Sequence, residues 1–107
     1  MDDAAKWVRV AAVKQVGAGE MLAVEAAGRP IALFHLEDGS WHATGNVCTH
    51  AYAMLTEGWL EGEVIECPLH AGRFDVRTGQ AMGAPVEEDL PTYPVKVEGA
   101  DVFVAVP

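Results

Sequence analysis

The chain is short of the residues that carry chemistry. Of its 107 residues only two are cysteine and four are histidine. Two cysteines cannot build the disulfide framework of a small secreted scaffold, and a chain of this length buries roughly 65% of its unfolded surface without such staples. Basic residues are scarce as well, with seven Lys and Arg against sixteen Asp and Glu, for a formal charge of -9. That balance opposes nucleic acid and anionic membrane and favours partners with a basic docking face. Nowhere do eighteen apolar residues follow one another, and Asp2, Asp3, Lys6, Arg9 and Lys14 break up any secretion signal. These absences predict a cytoplasmic chain with no membrane span and no nucleic-acid partner.

Long amphipathic helices are also missing, and strand patterns occupy the chain instead. Val8 and Val10 alternate with Arg9 within residues 7–13, and Leu22 and Val24 share a face within residues 21–25. Gly17-Ala18-Gly19 reads as the turn between them. Ile31 to Leu36 is nearly unbroken in apolar character and ends at Glu37-Asp38-Gly39-Ser40. Asp38-Gly39 suits a two-residue hairpin turn into Trp41-His42-Ala43-Thr44, a register that sets His35 opposite His42 on one face as a surface pair.

Gly45-Asn46-Val47 breaks the strand and starts an insertion, with a short helical turn expected over residues 51–55. Residues 57–60 and 63–66, joined by Glu61-Gly62, read as a hairpin whose outgoing strand delivers Cys67. Pro68 ends that strand, Ala71-Gly72 frees the backbone for close approach, and Arg73 to Val76 is extended up to a Thr78-Gly79 turn. Gly83 to Pro91 is irregular, either a third wall over the preceding loops or an ordinary surface connection. Val95 to Glu98, a Gly99-Ala100 turn and the alternation of Val102, Val104 and Val106 form a closing hairpin. The pattern predicts one all-β domain over residues 1–107, a sandwich or partial barrel, with an insertion that starts at Gly45.

Both cysteines fall inside that insertion, in two matched clusters. One reads Cys48-Thr49-His50 and the other Cys67-Pro68-Leu69-His70, sixteen residues apart. Each offers a soft thiolate and an imidazole, the donor set for two positions on each of two irons, as a Rieske [2Fe-2S] centre requires. A tetrahedral zinc site uses the same four donors, although zinc motifs usually group cysteine with cysteine and histidine with histidine. A Cys48–Cys67 disulfide is a third reading, and it leaves the matched histidines unexplained. His35 and His42 supply only two donors and do not define a site by themselves.

With these clusters in place the sequence resembles the Rieske-type [2Fe-2S] ferredoxins of bacterial aromatic-ring-hydroxylating dioxygenase systems, over nearly its whole length. Glu57-Gly58-Trp59-Leu60-Glu61-Gly62, Ile65-Glu66-Cys67-Pro68 and Arg73-Phe74-Asp75 with Thr78-Gly79 are similar to that family's pattern. The resemblance implies a Rieske fold of two packed antiparallel sheets carrying a cluster-binding subdomain. It implies one [2Fe-2S] cluster, with Cys48 and Cys67 on the inner iron and His50 and His70 on the outer one near the surface. A loop bearing Pro85 would lie against it. The Rieske proteins of respiratory and photosynthetic complexes differ in carrying an extra disulfide between the ligand loops, and serine and tyrosine hydroxyls near the cluster. Here Gly72 and Phe74 stand in the latter two places.

The function implied is that of a one-electron carrier in the breakdown of aromatic hydrocarbons. It would take electrons from a flavin-containing, NAD(P)H-dependent ferredoxin reductase and pass them to a terminal Rieske oxygenase. It is not expected to be an enzyme itself, because an oxygenase also needs an iron held by two histidines and a carboxylate. The small Rieske-like subunit of an assimilatory nitrite reductase is the alternative, and a zinc-stabilised interaction module a third reading. The aromatic substrate is chosen by another protein of such a system.

Overall fold

The structure, a computed structural model, describes residues 6–49, 52–69, 71–83, 86 and 88–107. His50, His70 and Pro85 lie outside the described residues, as does Glu87. Among the described residues ten strands form three antiparallel sheets. β1 (Lys6–Ala12) pairs with β10 (Asp101–Val106), which pairs with β9 (Val95–Glu98). A second sheet runs in the order β2 (Glu20–Ala26), β3 (Arg29–His35), β4 (Trp41–Gly45) and β8 (Thr92–Tyr93). Between β4 and β8 in the chain comes the third sheet, formed by β5 (Trp59–Glu61), β6 (Val64–Glu66) and β7 (Arg73–Asp75). The expected all-β architecture, with an insertion after β4 and a closing β9–β10 hairpin, is what the chain forms.

Strand β3 lies between two cores. Ile31 and Leu33 face a core shared with Ala43, Val102, Val104 and Val106 of the first two sheets. Ala32, Phe34 and Leu36 face the opposite way, into a core with Ile65 and Phe74 of the third sheet and with Cys48 and Cys67. A strand buried on both faces needs apolar side chains at every position rather than at alternate ones, which is why residues 31–36 are nearly continuous in apolar character. Each Ile, Leu, Val or Phe side chain buried this fully contributes about 1.5–3 kcal/mol.

The β3–β4 hairpin corrects the expected register. The Leu36 amide donates to the Ser40 carbonyl at 2.9 Å, so the loop has three residues, Glu37-Asp38-Gly39, with Gly39 at φ +92°. A three-residue loop with glycine in the left-handed region shifts the pairing by one position. His35 therefore pairs with Trp41, and His42 with Phe34, on the opposite face. The His35 ring stacks on Trp41 with centroids 4.0 Å apart, and its Nδ1 donates to the Val16 carbonyl at 2.9 Å. His42 instead meets the Ser40 hydroxyl at 2.9 Å. The two histidines do not face each other.

Other turns also differ from expectation. Glu61 pairs with Val64, which places the second hairpin's turn at Gly62-Glu63, with Gly62 taking the positive φ. The helical turn is a single 3-10 turn at Leu55–Glu57, later than residues 51–55. The β2–β3 turn, unrecognised in the sequence, is Ala27-Gly28, both at positive φ. Two glycines flanking the third sheet serve close approach. A side chain at Gly58 would run into the Glu66 carbonyl, and one at Gly79 into the Leu90 carbonyl.

Candidate metal centre

The two cysteines are held by loops of the same construction. After β4, Val47 bridges to Met54, and the Cys48 amide donates to the Ala53 carbonyl at 2.9 Å. After β6, the Cys67 amide donates to the Gly72 carbonyl at 2.7 Å. In each case a cysteine opens a turn that closes on the carbonyl five residues later. In the sequence, His50 falls between Cys48 and Ala53, and His70 between Cys67 and Gly72.

The base of the first loop is fastened by Asn46, a buried polar residue that the sequence reading passed over. Its amide donates to the Pro30 carbonyl at 3.1 Å and its own carbonyl accepts from the Leu55 amide at 2.8 Å. Its side-chain Nδ2 donates to Thr56 Oγ1 at 3.0 Å while Oδ1 accepts from the Thr56 amide at 3.0 Å. Every polar group of Asn46 is thus satisfied, as burial requires. The only sequence signal was a polar residue between a strand end and Cys48.

A third segment leans on these loops. Thr49 Oγ1 donates to the Glu88 carbonyl at 2.7 Å, and Val86 and Leu90 are buried in the same core as both cysteines. The Leu90 amide donates to the Gly79 carbonyl at 2.8 Å, anchoring the segment's far end. Of the two readings of residues 83–91, the described residues Val86, Glu88 and Leu90 fit the wall against these loops, while residues 84, 85 and 87 lie outside the described residues. Phe74 is fully buried in that core, paired with Ile65.

Cys48 is 4% exposed and Cys67 is fully buried, and across nineteen positions of chain the two meet in one buried cluster, close enough for Cys48 to shift the Cys67 thiol. No disulfide joins them. Burial pushes the Cys67 thiol up from its ordinary pKa, the Leu69 amide pulls it back down, and the adjacent Cys48 raises it further. The Cys67 sulfur in these apolar surroundings therefore keeps its proton unless a cation displaces it, and metal binding supplies that displacement. A pair of soft donors brought together in a dry core, each on its own closed loop, fits one iron of an iron–sulfur cluster.

The Rieske [2Fe-2S] domain family matches residues 6–94. Over 99 residues the chain is 48% identical to the ferredoxin component of the naphthalene 1,2-dioxygenase system of Pseudomonas aeruginosa, covering 92% of this chain and 94% of that one. Among solved structures, a chain of the complex of reduced oxygenase and oxidized ferredoxin in carbazole 1,9a-dioxygenase superposes with a TM-score of 0.85 at 37% identity, covering 92% of both chains. A Mycobacterium tuberculosis protein assigned as the small subunit of an NADH-dependent nitrite reductase superposes with a TM-score of 0.87 at 27% identity, covering 98% of both. The chain belongs to the Rieske [2Fe-2S] domain family.

Proposed function

We propose that the chain is a one-electron carrier, the ferredoxin component of a system in which a flavin-containing, NAD(P)H-dependent reductase feeds a terminal Rieske oxygenase acting on aromatic rings. Its cofactor is one Rieske-type [2Fe-2S] cluster, which takes up and releases a single electron when bound. Cys48, Cys67, His50 and His70 hold it, with Gly72, Phe74 and Pro85 around it. It works within the single domain of residues 1–107, in the subdomain of about residues 45–85, in the cytoplasm. The observation that carries this reading is the meeting of Cys48 and Cys67, nineteen positions apart and both buried, on two loops closed in the same way.

The chain's residues supply position and protection rather than catalysis. The loops fix both sulfurs, and the segment with Val86 and Leu90 keeps water from that side. No helix among the described residues is long and apolar enough to cross a membrane. The nitrite reductase reading shares the fold, but the higher identity to a dioxygenase ferredoxin favours the carrier. The test is reduction of the purified chain by a flavin reductase supplied with NADH or NADPH, followed by transfer to a terminal oxygenase. With a charge of -9, transfer should slow as salt rises, since steering fields are screened over roughly 8 Å at physiological ionic strength. A chain that works only as a permanent subunit of a larger reductase would refute it.

A further inference from the structure

The outer face of the third sheet has a composition that the ligand loops do not explain. Leu60, Ile65 and Phe74 line up across β5, β6 and β7 and turn toward the core. The opposite face carries a row in which Trp59 pairs with Glu66 and Glu66 with Arg73. Met82 extends it, because its amide donates to the Arg73 carbonyl at 3.0 Å. Trp59 is 61% exposed and Met82 51%. Between these two apolar walls runs an open groove of about 430 Å³, with Glu66 and Arg73 in its lining, ion-paired at 3.4 Å, and Glu61 at its side.

Exposed indole on a three-stranded sheet is costly to leave in water and is enriched where proteins meet. The chain's other exposed tryptophan, Trp7, has the Lys96 ammonium 4.5 Å from its ring centroid. No such cation lies over Trp59 among the described residues. Charge is distributed in the same sense. Residues 45–91 hold eight acidic and only two basic residues, a net -6 of the chain's -9. Both basic residues are already engaged, Arg73 with Glu66, and Arg77 with Glu63 at 2.7 Å and Asp75 at 3.6 Å. Glu61 has no ion-pair partner among the described residues. The cation that complements this face must come from another molecule.

We infer that the groove between Trp59 and Met82 is a docking site for a basic redox protein, which lays a lysine or arginine side chain over the Trp59 ring with Glu61 beside its charge. The alkyl stem of such a side chain lies along indole and thioether while its head meets the carboxylate, so one residue satisfies both walls and the charge. The site anchors the partner from the flank of the subdomain and leaves the ligand loops to face the partner's redox centre. Electron-transfer encounters are small, and a groove of this size with one aromatic anchor suits them. This inference rests on the carrier reading proposed above.

The test uses the full, cluster-loaded chain, reduced chemically and freed of reductant, with ferric cytochrome c as a basic, lysine-rich acceptor. One electron passes from the reduced chain to each ferric haem, and the second-order rate is read at low ionic strength by stopped flow. Trp59→Ala should lower that rate about fivefold or more, with the midpoint potential and far-ultraviolet circular dichroism unchanged. Trp59→Tyr should recover part of it, and Trp7→Ala should leave it at the wild-type value. Carbodiimide cross-linking should join Glu61 to a cytochrome lysine. A Trp59→Ala rate equal to wild type overturns the docking site while the carrier reading stands. A wild-type chain that carries no cluster or reduces no haem overturns both.

Discussion

The Asn46 side chain grips Thr56 twice, giving a hydrogen bond to its hydroxyl and taking one from its backbone amide, each at 3.0 Å. This double contact closes the neck of the loop that carries Cys48. Asn46→Ala should cost about 2 kcal/mol, since it strands the partly buried Thr56 amide as well as deleting two hydrogen bonds. Thr56→Val should cost about 1 kcal/mol, and Thr56→Ser should restore it. Thermal denaturation measures the loss. Because the loop also positions a ligand, Asn46→Ala should in addition release iron faster to a chelator.

The β2–β3 turn holds Ala27 at φ +53° beside Gly28 at φ +77°. A side chain with a Cβ is strained there by about 1 kcal/mol, a strain that asparagine tolerates and glycine lacks. Ala27→Asn should therefore raise the denaturation midpoint, because Asn-Gly is the favoured pair for a two-residue hairpin with both φ values positive. An unchanged or lower midpoint would contradict this.

His42 is held below the ordinary histidine pKa mainly by partial burial, with Arg77 acting in the same direction and Asp38 and Asp75 opposing. The unfolded chain then binds a proton that the folded chain does not, in the interval between its ordinary value of 6.5 and the depressed folded one. More protons on the unfolded side mean that stability rises with pH across that interval and is lost as pH falls through it. His42→Asn should flatten that part of a urea-denaturation profile against pH. A wild-type profile already flat between pH 7 and the depressed value would refute the assignment.

Gly72 and Phe74 offer no hydroxyl near the cysteines. Hydrogen bonds to cluster sulfur stabilise the more negative, reduced form, so their absence lowers the midpoint potential within the Rieske range of about -150 to +300 mV. The chain's potential should lie near the bottom of it, and Gly72→Ser and Phe74→Tyr should each raise it. Phe74 is fully buried. A tyrosine hydroxyl there must find an acceptor or cost about 1–3 kcal/mol, so voltammetry and melting together show whether it reaches a sulfur. A wild-type midpoint above about +100 mV would refute the low-potential assignment.

The strands were legible wherever burial imposed a period. Val102, Val104 and Val106 alternate because they share the face turned to one core, and residues 31–36 do not alternate because β3 faces a core on each side. Turn chemistry was less legible. Asp38-Gly39 fits either a two-residue or a three-residue loop, and the choice moved His35 from His42 to Trp41. Ala27-Gly28 carries no residue that announces a left-handed pair. At the centre, the spacing of Cys48 and Cys67 pointed to the two sulfurs that the fold buries together, whereas the Asn46 clasp depends on Thr56, ten residues on and brought close only by the folded loop. Trp59 read as part of a pattern, and only the sheet shows that it faces outward.

The central claim is that Cys48, His50, Cys67 and His70 hold one [2Fe-2S] cluster. Analysis of the purified chain should give about two iron and two acid-labile sulfide per molecule, with a visible spectrum that bleaches on reduction and is absent from His50→Ala and His70→Ala. A colourless chain with one equivalent of zinc, or a Rieske spectrum that survives both histidine substitutions, would contradict it.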